Sequence, residues 1–176
     1  MKKIVLSFGL ISGVIVTALM WLMLAMMKAG FTAHGLVWGY ATMIIALSLV
    51  FFGIKSYRDN NGGRITFLKG LQVGILISLI SAVCYGIRWE AYYRTSGADF
   101  MQQYTAQYIE QMKAKGASDA EIADTQKQMD QFAEQYKNFF VRFGMTLMEI
   151  LPVGIVVTLI SAALLRKPTM LPAEPA

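Results

Sequence analysis

The sequence predicts an all-α polytopic membrane protein, with four transmembrane helices and an external amphipathic helical hairpin between helices three and four. Three observations carry this. The apolar runs at residues 4–27, 36–54, 67–87 and 143–165 each approach or exceed the roughly 20 residues that a bilayer-spanning helix needs. Hydrophobic residues make up 56% of the 176-residue chain, too many for an ordinary soluble domain. The basic residues that produce a net charge of +5 sit at the ends of the apolar runs rather than along one face, the pattern of membrane anchors and not of a nucleic-acid surface. The expected organisation is residues 1–87 for helices one to three, 88–142 for the external hairpin, 143–167 for helix four, and a disordered cytoplasmic tail at 168–176.

Helix one follows Met1-Lys2-Lys3. Its apolar run passes Trp21 and Met27 without a convincing cleavage site and exceeds the length of a signal-peptide core, so a retained helix is expected. It should end in a short turn at Lys28-Ala29-Gly30. Helix two carries Trp38 and Tyr40 where interfacial aromatics belong and stops at Lys55-Ser56-Tyr57-Arg58. Asp59-Asn60-Asn61-Gly62-Gly63 is the strongest turn signal, because Asn and Gly tolerate positive φ. Thr66 is placed to cap helix three, and Tyr85, Trp89, Tyr92 and Tyr93 mark its outer exit.

Two amphipathic helices are expected outside the bilayer. Phe100/Met101, Tyr104, Tyr108 and Met112 recur at helical spacing, and Lys115-Gly116-Ala117 breaks the helix. Ser118-x-x-Glu121 has the spacing of a capping box. The apolar stripe then resumes at Ile122, Met129, Phe132 and Tyr136 and reaches Phe140 and Phe143 in phase, which predicts that this helix runs on into helix four.

The Lys/Arg bias sets the orientation. Lys2, Lys3, Lys55, Arg58, Arg64, Lys69, Arg166 and Lys167 fall on one side against only Asp59 and Glu174, while 88–142 holds seven basic and eight acidic residues. Both termini are therefore expected in the cytoplasm and 88–142 outside.

Small residues recur every fourth position: Gly70, Gly74, Ser78 and Ala82 on helix three, Gly154, Thr158 and Ala162 on helix four, and Gly9 and Gly13 on helix one. Such faces let helix backbones approach closely. Packing within the bundle is the expected use, with a homo-oligomer interface as the other reading. The segments at 71–82 and 151–162 also match one another, residue for residue at Leu, Val, Gly, Ile, Ser and Ala positions. An inverted repeat of this kind would point to a transporter; convergence of two packing seams is the simpler account.

Glu149 is the one acid within an apolar run, and an intramembrane carboxylate is a functional hypothesis by default. The expectation is that it turns into the bundle and pairs with Arg88, with Arg142, Lys28 and His34 as further cations at its level. Pro152 leaves the Met148 carbonyl without its helical donor, so a kink is expected beside it. Arg64, Thr66 and Lys69 gather cations and a helix start in an arrangement able to contact a lipid phosphate, although a tight turn with membrane anchors explains the same residues. With one cysteine, Cys84, and one histidine, there is neither an internal disulfide nor a His-based metal cluster to build. Met20, Met23, Met26 and Met27 read as lipid-facing filler.

Several segments together resemble a known family: Met1-Lys2-Lys3-Ile4-Val5-Leu6 with Gly9-Leu10-Ile11-Ser12-Gly13, Phe52-Gly53-Ile54-Lys55-Ser56-Tyr57-Arg58-Asp59-Asn60 with Gly63-Arg64-Ile65-Thr66-Phe67, Cys84-Tyr85 before Trp89-Glu90, and Glu149-Ile150-Leu151-Pro152-Val153-Gly154. They are similar to the bacterial membrane proteins of domain-of-unknown-function family 4199, over residues 1–167. The resemblance implies a four-helix bundle in the bacterial inner membrane and names no catalytic residue.

No motif for catalysis, cofactor or metal binding accompanies these features. The leading expectation is a non-catalytic membrane protein that contacts the lipid bilayer and uses its hairpin on a membrane or external protein partner or the membrane surface. A small carrier or channel subunit using Glu149 is the alternative, and a membrane-embedded enzyme the third.

Overall fold

Five helices form among the described residues: α1 (Lys2–Lys28), α2 (Gly35–Asp59), α3 (Phe67–Ala114), α4 (Asp119–Tyr136) and α5 (Phe139–Leu165). The computed structural model describes residues 1–28 and 35–167, without the side chains of 27–28, 35–36 and 96–99. The turn expected at 29–30, His34 and the tail at 168–176 lie outside these residues. Four helical stretches are long and apolar enough to cross a membrane: Lys2–Met26, Val37–Asp59, Phe67–Thr95 and Phe139–Leu165.

Helix boundaries depart from expectation at two places. The third helix does not end near 87 but reaches Ala114, 48 residues in all, because nothing between Ile87 and Ala114 breaks the backbone strongly enough. The fourth does not run on into α5. It stops at Tyr136, and Asn138 opens α5 by accepting the Phe140 N–H on its side-chain oxygen at 2.9 Å. A side chain that satisfies a first-turn donor outweighs the continuity of the apolar stripe.

The chain divides into two units, Met1–Tyr85 with Leu147–Ala176, and Gly86–Thr146. Unit one has a core of Val16, Leu47, Val50, Ile54, Val73, Ile77 and Ile150, drawn from α1, α2, α3 and α5. Its outer face is apolar as well: Val14 is 68% exposed, Ile45 59% and Met148 77%. Apolar side chains both inside and outside suit a helix bundle whose solvent is lipid. Among the helix-one methionines, Met20 is buried in this unit rather than lipid-facing.

A rigid turn joins α2 to α3. The Asn61 and Gly63 N–H groups both donate to the Arg58 carbonyl at 3.0 Å, and Gly62 and Gly63 take φ of 71° and 75°. Residues with a Cβ rarely adopt that backbone, so the Gly-Gly pair is a geometric requirement here. Ile65 is buried and pins the turn to the core, and the Thr66 hydroxyl oxygen accepts the Lys69 N–H at 3.3 Å.

In unit two, α3 turns at Gly116, with φ of 79°, into α4. The capping box closes there: Ser118 N–H and hydroxyl both donate to Glu121 Oε2 at 2.8 Å, and Glu121 N–H donates back to Ser118 Oγ at 3.4 Å. The buried positions of the α3 arm are Met101 and Ile109, whereas Tyr104 and Tyr108 are exposed. The inward stripe is thus rotated about one residue from the one expected. On α4 the expected stripe of Ile122, Met129, Phe132 and Tyr136 is half-buried or buried, together with Thr125 and Ala133.

Candidate functional site

Unit two is organised around an ion pair between residues 52 positions apart. Glu90 on α3 and Arg142 on α5 are 9% and 4% exposed. Arg142 donates from Nε to Glu90 Oε2 at 2.8 Å and from Nη2 to Oε1 at 2.7 Å, a two-pronged contact. Its Nη1 donates to the carbonyls of Tyr136 and Lys137 at 2.7 and 3.2 Å, capping the end of α4. The planar guanidinium fits both tasks, since its donors are fixed in a fork. Its flat face lies 3.9 Å from the centre of the Tyr93 ring, a cation–π contact. Arg94 adds a third cation-side bond to Glu90 at 3.0 Å. Trp89 donates its indole N–H to the Tyr136 hydroxyl at 2.7 Å, and the Tyr136 ring meets Tyr93 edge-on and Phe132 at a tilt. Arg142 was expected as a cation at the level of Glu149; here it holds Glu90.

Unit one brings the small residues of α3 and α5 together. A Cβ at Gly70 would lie 3.0 Å from Ala162 Cβ, one at Gly74 would collide with Thr158, and one at Gly154 would lie 2.8 Å from Ser78 Cβ and Oγ. The two matched segments therefore cross reciprocally, each glycine against the hydroxyl residue of the other. On α1, Gly9 faces Ile80 and Gly13 faces Cys84, and Ala82 is fully buried. Ser81 and Ser161, also equivalent in the match, both donate to the carbonyl four residues back, Ile77 at 3.0 Å and Val157 at 2.6 Å. The hydroxyls of Ser78 and Thr158 are buried without a hydrogen-bond partner among the described residues.

Glu149 does not point into the bundle; its side chain is on an exposed face of α5, next to Met148. Pro152 is also exposed, and α5 is helical through it. Arg88 is half-buried on the part of α3 that belongs to unit two.

At the end of unit one where α2 turns into α3, a cleft of about 540 Å³ is lined by Tyr57, Asn61, Arg64, Thr66, Lys69 and Arg166, among others. The other cations at this end of α2 are ion-paired: Lys55 and Arg58 both bond Asp59, at 2.7 and 2.9 Å. Among the described residues, no group of three or more His, Cys, Asp or Glu side chains is arranged to hold a metal ion.

Neither the curated proteins nor the solved structures give a match to the chain. A family model described as "Protein of unknown function (DUF4199)" matches residues 7–167, most of the chain, and the protein therefore belongs to that family.

Proposed function

We propose that the protein is a non-catalytic, multi-pass protein of the bacterial inner membrane, with both termini cytoplasmic, that presents unit two outside the bilayer to a protein partner. One observation carries this reading. Glu90 and Arg142, the charged groups best sequestered from solvent among the described residues of unit two, satisfy one another and the end of α4, so the network rigidifies the unit. A rigid unit that keeps Tyr104 and Tyr108 exposed, 47% and 42%, suits contact better than chemistry.

A second reading, a small carrier or channel subunit, is favoured by the exposed carboxylate of Glu149 on an apolar helix. One set of measurements on the full chain separates the two. In a Cys84→Ala background, Gly116→Cys should react with a membrane-impermeant maleimide in intact cells, and Asn61→Cys only after the cells are opened. A photo-cross-linker at Tyr108 should then give a discrete protein adduct. Protection of Gly116→Cys, or the absence of any protein adduct, overturns the first reading. Proton flux in proteoliposomes that Glu149→Gln abolishes would establish the second.

A further inference from the structure

The cleft at the α2–α3 turn has a charge imbalance that membrane anchoring alone does not require. Its lining includes Arg64, Lys69 and Arg166 and contains no carboxylate. Arg64 comes from the turn, Lys69 from the first turn of α3 and Arg166 from just beyond α5. Three cations from three places in the sequence thus converge on one concavity. Among the described residues, Arg64 and Arg166 form no ion pair, and Lys69 donates only to the neutral Gln72 side chain, at 2.9 Å. Lys55 and Arg58 lie nearby in sequence on α2 and each have a carboxylate contact, to Asp59, which none of the three cleft cations has among the described residues.

The polar groups of the lining suit an anion with several acceptor oxygens. The Tyr57 hydroxyl, the Thr66 hydroxyl and the two guanidinium forks are donors, and the start of α3 adds the positive end of a helix dipole. The framework around them is fixed: Asn61 donates its side-chain amide to the Arg64 carbonyl at 3.1 Å, the Gly62-Gly63 pair sets the turn, and buried Ile65 anchors it. A volume of about 540 Å³ exceeds one phosphate and leaves room for a glycerol or sugar attached to it.

We infer that this cleft binds a phosphate group, and that Arg64, Lys69 and Arg166 hold its charge. This is independent of the role proposed for unit two. The phosphate has two sources, an anionic phospholipid headgroup or a soluble phosphate, and their shared chemistry is what the residues recognise.

The test uses the full chain in neutral detergent, where no charged bilayer surface contributes. Binding of short-chain phosphatidylglycerol and, separately, of inorganic phosphate is followed by native mass spectrometry and by the rise in melting temperature. Arg64→Gln with Arg166→Gln should weaken binding at least about tenfold, given roughly 1 kcal/mol for each basic residue near an anionic headgroup. Lys2→Gln with Lys3→Gln removes the same charge from outside the cleft and should change binding less than about threefold. Lys69→Gln alone should give an intermediate loss and guards against misfolding of the double variant. Phosphatidylglycerol binding with this pattern establishes a lipid site, and inorganic phosphate binding with the same pattern a soluble-phosphate site. Binding of neither probe, or an equal loss in the Lys2/Lys3 variant, overturns the inference.

Discussion

On α1, α3 and α5, unit one seals hydroxyls away: Ser12, Ser78, Ser81, Thr158 and Ser161 are all buried, while its buried charge, Arg58, sits at the α2 end beside the partly exposed Asp59. Unit two seals away a full ion pair, Glu90 with Arg142. The first choice tolerates imperfection. A hydroxyl is small, and most of these donate to a carbonyl of their own or a neighbouring helix, as Ser12 does to Ala46 at 2.9 Å; even two without partners can be carried. The second choice does not. A desolvated charge is stable only when its geometry is nearly complete, and here Arg142 is met by a carboxylate, two carbonyls and an aromatic face. Unit one gains specificity from close backbone approach, unit two from a polar lock.

The largest effect should follow from breaking that lock. Arg142→Met leaves Glu90 with only the exposed Arg94, and removal of one partner of a buried pair costs roughly 3–5 kcal/mol. Glu90→Gln should lose less, because an amide oxygen still accepts from the guanidinium. Glu90→Leu with Arg142→Met should recover part of the loss. Hydrogen exchange on the full chain checks this: protection should fall across α4 and the α3 arm at 100–114, while α1 and α2 keep theirs. Equal loss in α1 and α2 would mean that the two units are not separate in stability.

Much of the fold was legible in the sequence because its signals are local. A run of about 20 apolar residues, a Gly-Gly turn and a Ser-x-x-Glu box each announce themselves within a few turns of helix. The Glu90–Arg142 pair is separated by 52 positions, and no periodicity links such residues. A weaker signal was present: Glu90 follows Tyr85 and Trp89 in an aromatic cluster, and Arg142 stands among Phe139, Phe140 and Phe143. Opposite charges, each in apolar company, are natural partners. Glu149 gives the stronger local signal, a lone acid within an apolar run, yet it lies on an exposed face of α5. The end of α4 was misread because an in-phase stripe says where a helix would be amphipathic, not where a capping side chain stops it.

A moderate effect of opposite sign is expected in unit one. Thr158 has its hydroxyl and methyl against Gly74, so Val fits the same space. A buried hydroxyl without a partner carries a desolvation penalty of about 1–3 kcal/mol. Thr158→Val should therefore be neutral or raise stability by up to about 1 kcal/mol in thermal melts in detergent, the reverse of Arg142→Met. A clear loss would show that the hydroxyl is bonded in solution, and the contrast between a tolerant and an exacting interior would narrow.

The smallest effect belongs to the exposed cap of α4, which tests whether the exacting character of unit two extends to its surface. The Ser118 N–H and hydroxyl both donate to the Glu121 carboxylate and hold its pKa below the ordinary 4.5. The direction of the pH dependence follows from that shift. A carboxyl whose folded pKa is depressed contributes its full stabilisation above the unfolded value, and loses it as pH falls through the lower folded value. Amide protection in the first turns of α4 should therefore be constant from neutral pH down to about 4.5 and decline below it. Glu121→Gln keeps an acceptor for the Ser118 N–H but removes the charge, so it should flatten that decline while preserving most of the protection. Ser118→Ala removes the hydroxyl from both bonds and should cost about 1 kcal/mol or less at every pH. A decline that survives in Glu121→Gln would place the acid-sensitive group outside the cap, with Asp119 in the same first turn the nearest other carboxylate.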